Sequence, residues 1–137
     1  MNLQKLKIKN DLIIFTVGAT AYPILELLWR GHTHISMAIA GGLSLALINR
    51  FCCEKYCKKA MYLRCALGSL IITSIELVIG LIVNKFLFLN VWDYSNLPFN
   101  MLGQICLPFS LAWFFLCIPA MYICKTFTKF MQKKPLE

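Results

Sequence analysis

Apolar residues fall into four long runs, about 12–29, 35–53, 65–83 and 101–124, separated by polar segments. An α-helix rises about 1.5 Å per residue, so a hydrocarbon core about 30 Å thick needs around 20 residues. The pattern therefore predicts an all-α polytopic membrane protein with four transmembrane helices. We expect a single integral membrane domain over residues 1–137, with an outer loop at 85–100.

Two of these runs admit another interpretation. The second run is cleanly apolar only from Ile35 to Ile48, so a spanning helix must continue through Phe51 while Arg50 extends toward the interface; a re-entrant segment is the alternative. The first run follows three lysines and contains an Ala-Thr-Ala sequence at 19–21, as a cleaved signal peptide would. Because the run stays apolar beyond that site, we favour a retained helix.

Composition and charge support the membrane assignment. Hydrophobic residues make up 59% of the chain, against about 45 to 50% in soluble domains. Lysine and arginine cluster before run one, between runs two and three and after run four, which predicts that both termini are cytoplasmic. The net charge of +8 is then explained by topology and anionic lipid, and we predict no nucleic-acid partner.

The seven cysteines suggest neither a disulfide framework nor a metal centre. "CCEKYC", at 52–57, lacks a second Cys or His pair on the same side of the membrane, so palmitoylation or simple packing is favoured over zinc. The other cysteines lie in apolar runs, where they act as small apolar residues. We predict no metal and no cofactor.

The stretch "VWDYSNLPFN", at 91–100, is the most polar and aromatic part of the middle of the chain. Trp92 and Tyr94 are expected at headgroup depth as interfacial anchors, while Asp93 and Ser95 cap a turn. We also expect Asp93 to lie over a polar vestibule that contains Glu26 and Glu76.

Acidic residues inside the runs are the main candidates for function. An ionisable group in a membrane span costs about 2.5 to 3.5 kcal/mol on insertion scales, so it is usually paired and often functional. Glu26 precedes Arg30 by one turn, the favourable order for an ion pair. Glu76 has no basic residue at helical spacing, so it needs a partner on another helix, a proton or water. Glu76 is the first candidate for a cation or proton site.

His32, His34 and Gln104 complete the predicted outer polar cluster. The two histidines are two residues apart and cannot share a helical face, so hydrogen bonding at the interface is favoured over zinc binding with Glu26 or Asp93. Gln104 is expected at the start of the fourth helix. Pro108, in the same run, would leave the Gln104 carbonyl without its helical hydrogen bond.

Small residues predict close helix packing in the second run. Ala38, Gly42 and Ala46 recur every four residues, with Gly41 beside them. This spacing lets two helix backbones approach each other.

Three segments carry a resemblance to a known family: "ELLWRGHTHISMAIAGG", "IELVIGLIVNK" and "NVWDYSNLPFNMLGQICLPFSLAWF". Over about 22–124 the chain resembles small bacterial membrane proteins of the CmpB-like ABC transporter permease family. The resemblance implies a multi-pass protein of a bacterial cell membrane that takes part in transport. It also implies a separate ATPase or membrane partner, since the chain has no Gly-rich phosphate loop.

Three classes of function follow from these features. The first is a transporter or channel component, acting as a homo-oligomer, with an outward-facing vestibule that contains Glu76. The second is a non-transporting accessory subunit or a prophage hole-forming protein. The third is an intramembrane enzyme, which we do not expect because no serine lies in a GxSxG setting or beside a plausible base.

Overall fold

Four long helices follow one another in the computed structural model, which describes residues 2–133; within that range there is no β-strand. Helix α1 spans Leu3–Arg30 and α4 spans Leu107–Lys133. Helix α2 spans Ile35–Ile48 and continues through a π-helical segment, Asn49–Lys55. Helix α3 spans Met61–Gly80 and continues in the same way over Leu81–Phe86. The predicted all-α class is confirmed.

All four helices are long and apolar enough to cross a membrane. With their π-helical continuations, α1 to α4 contain 28, 21, 26 and 27 residues, against the roughly 20 that a bilayer requires. The second helix reaches this length because it continues past Arg50 to Lys55. The sequence predicts such a continuation through Phe51 if the second helix spans the membrane. The prediction of four membrane-spanning helices is confirmed.

Local capping determines where α1 begins and ends. The Asn2 side chain accepts a hydrogen bond from the Gln4 N–H at 3.2 Å, which starts the helix well before residue 12. Gly31 ends it in the left-handed conformation, with φ of 76°, and donates its N–H to the Leu27 carbonyl. Lysines are good helix formers, so the polar N-terminal segment joins the apolar run as one helix.

The start of α4 differs from the predicted position at residue 101. Leu102 and Gly103 have φ values of 54° and 71°, so the chain turns here and the helix begins only at Leu107. Pro108 then lies in the first turn, where its missing N–H breaks no helical hydrogen bond. The Gln104 carbonyl is not orphaned, because it accepts a hydrogen bond from the Trp92 indole N–H at 2.9 Å.

Helices α1 and α2 meet at two glycines. A Cβ atom on Gly18 would overlap the Gly41 carbonyl oxygen, and a Cβ atom on Gly41 would overlap the Gly18 carbonyl oxygen. Gly42 instead faces the Phe15 ring. The predicted close approach is present, and Gly41 rather than Gly42 makes the backbone contact.

Cysteines form much of the core, as small apolar residues should. Cys52, Cys65 and Cys117 are at most 1% exposed and pack with Ile48, Ile72 and Met121 between α2, α3 and α4. All seven cysteines of the chain are free thiols, and Cys57 is the one that is exposed.

The start of α1 and the end of α4 lie at the same end of the bundle. The Asn10 amide donates to the Thr128 hydroxyl at 3.2 Å, which links α1 to α4. Arg50 pairs with Asp11 at 2.8 Å, so the segment after α2 lies at this end too. The three basic clusters of the sequence therefore meet at one end, and the polar residues 26, 30 and 76 lie toward the other.

Candidate functional site

Glu76 lies at the junction of three helices. It projects from α3 and is 3% exposed. One carboxylate oxygen accepts a hydrogen bond from the Tyr22 hydroxyl of α1 at 2.6 Å, and the other accepts from the Trp113 indole N–H of α4 at 3.2 Å. The partners that the sequence required thus come from two other helices.

The Tyr22 and Trp113 rings form the floor of a groove between α1 and α4. Their centroids are 5.4 Å apart and their planes are inclined by 33°. The groove has a volume of about 280 Å³, close to the lower end of the range for small-molecule sites. Its lining residues are Tyr22, Leu25, Glu26, Trp29, Arg30, Tyr94, Phe109, Ala112, Trp113 and Leu116.

An ion pair closes one end of this groove. Arg30 donates from Nη2 to Glu26 at 2.9 Å and from Nη1 to the Val91 carbonyl at 2.9 Å. Glu26 also accepts from the Thr33 hydroxyl at 3.1 Å. The predicted Glu26–Arg30 pair is confirmed, and it fixes the end of α1 to the loop between α3 and α4.

Gln104 belongs to a separate buried network beside the groove. It is 2% exposed, and its side-chain oxygen accepts from the Asn84 amide at 2.7 Å. Asn84 in turn accepts from the Val91 N–H at 2.6 Å. This network holds the loop against α3, so Gln104 positions the chain and does not line the groove.

Trp92 does not have the predicted interfacial role. Its ring is 6% exposed, packs with Met37 and Val83, and donates its N–H to Gln104. The sequence cannot distinguish this arrangement from a ring at headgroup depth, because a Trp with one polar atom suits both. Exposed aromatic rings at this end include those of Trp29, Phe86, Phe88 and Phe99.

Tyr94 lines the groove and is partly buried. Its ring stacks on Phe109 with centroids 4.8 Å apart and an angle of 15°. Burial raises the pKa of the Tyr94 hydroxyl well above its ordinary value, so this side chain is a neutral phenol at physiological pH. It forms one wall of the groove instead of an exposed anchor.

Asp93 lies outside the groove. It is exposed and accepts hydrogen bonds from the hydroxyl and the N–H of Ser95, the latter at 2.9 Å. These bonds lower the pKa of the Asp93 carboxyl. The expected turn cap is present, and Asp93 is not among the residues that line the groove.

The two histidines also lie apart from the groove. His34 caps α2, where its Nδ1 accepts from the Ser36 N–H at 3.2 Å, and His32 is exposed. Among residues 2–133, no three His, Cys, Asp or Glu side chains are arranged to hold a metal ion.

Sequence reasoning missed Tyr22 and Trp113 as partners of Glu76. Each of the three lies about two to three helical turns in from the same end of the bundle, counting from Arg30, Leu107 and Phe86. Matching polar and aromatic residues by depth across the helices, with the direction of each helix taken into account, is the signal that points to them.

Comparison with known proteins gives one match. A family model described as "Putative ABC-transporter type IV" matches residues 12–136 of this chain. No curated protein and no solved structure gives a significant match. The matched range includes α1 from residue 12 onward, all of α2, α3 and α4, the groove and Glu76.

Proposed function

The chain belongs to the CmpB family of ABC transporters, and from this premise we propose that it is a membrane subunit of a transport system with Glu76 as its central acidic site. The position of Glu76 is the main observation that supports this proposal. One carboxylate on α3 accepts hydrogen bonds from α1 and α4, and both donor rings form the floor of the groove.

The environment of Glu76 supports a role in binding a cation or a proton. An acidic residue is costly within a membrane, and among residues 2–133 no Lys or Arg forms a salt bridge with Glu76. Apolar side chains would fill the same space without that cost. A carboxylate at the contact of three helices therefore favours a site that binds and releases a cation or a proton.

We propose that the groove end faces outward and that the basic end is cytoplasmic, in a bacterial cell membrane. The positive-inside rule supports this orientation, because the basic clusters meet at one end. The sequence contains no phosphate-binding loop, so ATP hydrolysis would come from a separate subunit. Four helices are few for a permease, and we propose that the chain acts as a homo-oligomer.

Flux measurements in proteoliposomes test the role of Glu76. We expect wild-type protein to pass protons or monovalent cations, and Glu76→Gln to abolish that flux while preserving the helical circular dichroism spectrum. Glu54→Gln is the matched control, because Glu54 is partly exposed at the basic end. Equal flux from wild type and Glu76→Gln would exclude Glu76 from the pathway.

The accessory-subunit hypothesis is the second candidate, and one observation favours it. Both oxygens of Glu76 already accept hydrogen bonds from neighbouring helices, so the carboxylate also suits a purely structural joint. In that case Glu76→Gln would impair assembly, and folded wild-type protein would show no flux above empty liposomes. A membrane partner that co-purifies with the wild-type chain would then define its role.

A further inference from the structure

Aromatic rings dominate the groove between α1 and α4. Five of its lining residues are aromatic: Tyr22, Trp29, Tyr94, Phe109 and Trp113. The face of such a ring carries partial negative charge and attracts a cation within about 6 Å of its centroid. Several rings around one cavity are the arrangement that recognises quaternary ammonium groups.

The charges around the groove also favour a cationic ligand. Glu26 and Arg30 neutralise each other, and both Nη atoms of Arg30 already donate to protein oxygens. The two residues whose rings form the floor, Tyr22 and Trp113, donate hydrogen bonds to the Glu76 carboxylate. Donation to an anion makes each ring richer in electrons, which strengthens its attraction for a cation.

The groove opens sideways, between two helices that face the bilayer. Leu25, Trp29 and Leu116 line it and are 48%, 78% and 40% exposed. A molecule dissolved in the membrane therefore has direct access to the cavity. Apolar walls suit a hydrophobic body, and the rings near Glu76 suit its charged centre.

We propose that this groove binds a lipophilic organic cation, with a quaternary ammonium or phosphonium centre and an apolar body. As a statement about cargo, this inference rests on the proposed transport function. As a statement about binding, it is independent of flux, because the cavity and its rings are present in the isolated chain.

The test uses two probes of the same shape and opposite charge, tetraphenylphosphonium and tetraphenylborate. Both are titrated against the purified full chain in nanodiscs of zwitterionic lipid, with empty nanodiscs subtracted. We expect saturable binding of the phosphonium cation and at least tenfold weaker binding of the borate anion. Charge selectivity separates a cation site from a merely apolar groove.

A pair of variants locates the binding site. Trp29→Leu removes one groove ring that is 78% exposed, so the fold does not depend on it. We expect it to weaken phosphonium binding about tenfold, which corresponds to about 1.4 kcal/mol. Tyr122→Leu is the control, because Tyr122 is 74% exposed and lies outside the groove; its affinity should equal that of wild type.

Four results would overturn the inference. Borate binding as tight as phosphonium binding would show no preference for cations, and tighter borate binding would assign the groove to an anionic lipid head at Arg30. Unchanged phosphonium affinity in Trp29→Leu would place the ligand elsewhere. Flux that depends on Glu76 without phosphonium binding would reject this inference alone, whereas phosphonium binding without any flux would reject only the proposed transport function.

Discussion

At the scale of single residues, Glu76 combines two properties that usually exclude each other in a membrane. It is ionisable, and it is 3% exposed. The Tyr22 and Trp113 donors make this tolerable, since each carboxylate oxygen has a partner. The same bonds connect α1, α3 and α4, so any event that alters the charge of Glu76 acts on the contact of all three helices.

Removing one of these donors should destabilise the protein. Tyr22→Phe leaves a buried carboxylate oxygen without its partner at 2.6 Å. We expect a loss of about 1 kcal/mol in the free energy of unfolding, within the range measured for hydrogen bonds between membrane helices. Unfolding by detergent titration in mixed micelles measures it, and Tyr122→Phe, at a site 74% exposed, should be neutral. Equal losses in both variants would contradict the role assigned to the Tyr22 hydroxyl.

Single-residue environments were predictable where the partner is local in sequence. The Glu26–Arg30 pair and the Asp93–Ser95 turn follow from spacings of four and two residues. The partners of Glu76 and of the Trp92 indole depend on how separate segments pack, which spacing does not encode. For this reason the sequence predicts Trp92 at the interface, whereas the structure buries it.

At the scale of helices, the contact of α1 with α2 depends on the absence of two side chains. Gly18 and Gly41 face each other with backbone against backbone. Close packing of this kind supplies much of the attraction between membrane helices, because lipid tails compete equally well for ordinary apolar side chains. A methyl group at either position has no space unless the helices separate.

Two neighbouring glycines allow a matched test of this contact. In Gly41→Ala the new methyl group meets the Gly18 carbonyl and the Tyr22 Cβ, whereas in Gly42→Ala it meets the Phe15 ring, which is able to rotate away. Both changes raise helix propensity by about 1 kcal/mol. Overpacking at Gly41 should cost about 1–3 kcal/mol more than at Gly42, as measured by thermal unfolding in detergent. A smaller loss of stability in Gly41→Ala than in Gly42→Ala would contradict a backbone contact between α1 and α2 at Gly41.

Helix number was predictable from hydropathy, and helix ends were less so. The bilayer requires about 20 apolar residues, and this constraint identifies the four spans. Ends depend on caps and turns, and two of them do not coincide with the limits of the apolar runs. Asn2 starts α1 among lysines, and the turn at Leu102 and Gly103 delays α4 within an apolar stretch.

At the scale of the whole molecule, the bundle has two chemically different ends. The basic end holds the start of α1, the end of α4 and the π-helical continuation of α2, tied by the Asn10–Thr128 and Arg50–Asp11 contacts. The opposite end holds the groove, the Glu26–Arg30 pair and the long loop between α3 and α4. The even number of spans predicts this grouping from the sequence, whereas the groove requires the actual packing of α1 against α4.

The exposed thiol of Cys57 allows the proposed orientation to be tested. Lys55, Lys58 and Lys59 flank Cys57, and each lysine near an anionic cytoplasmic leaflet contributes about 1 kcal/mol of attraction. We therefore expect a membrane-impermeant maleimide to label Cys57 in inverted vesicles and not in intact cells. Phe99→Cys on a Cys57→Ser background should show the opposite pattern, because Phe99 is 82% exposed at the groove end. Labelling of Cys57 from outside intact cells would reverse the orientation and place the groove on the cytoplasmic side, whereas labelling of both sites in both preparations would indicate dual insertion, contrary to the charge asymmetry.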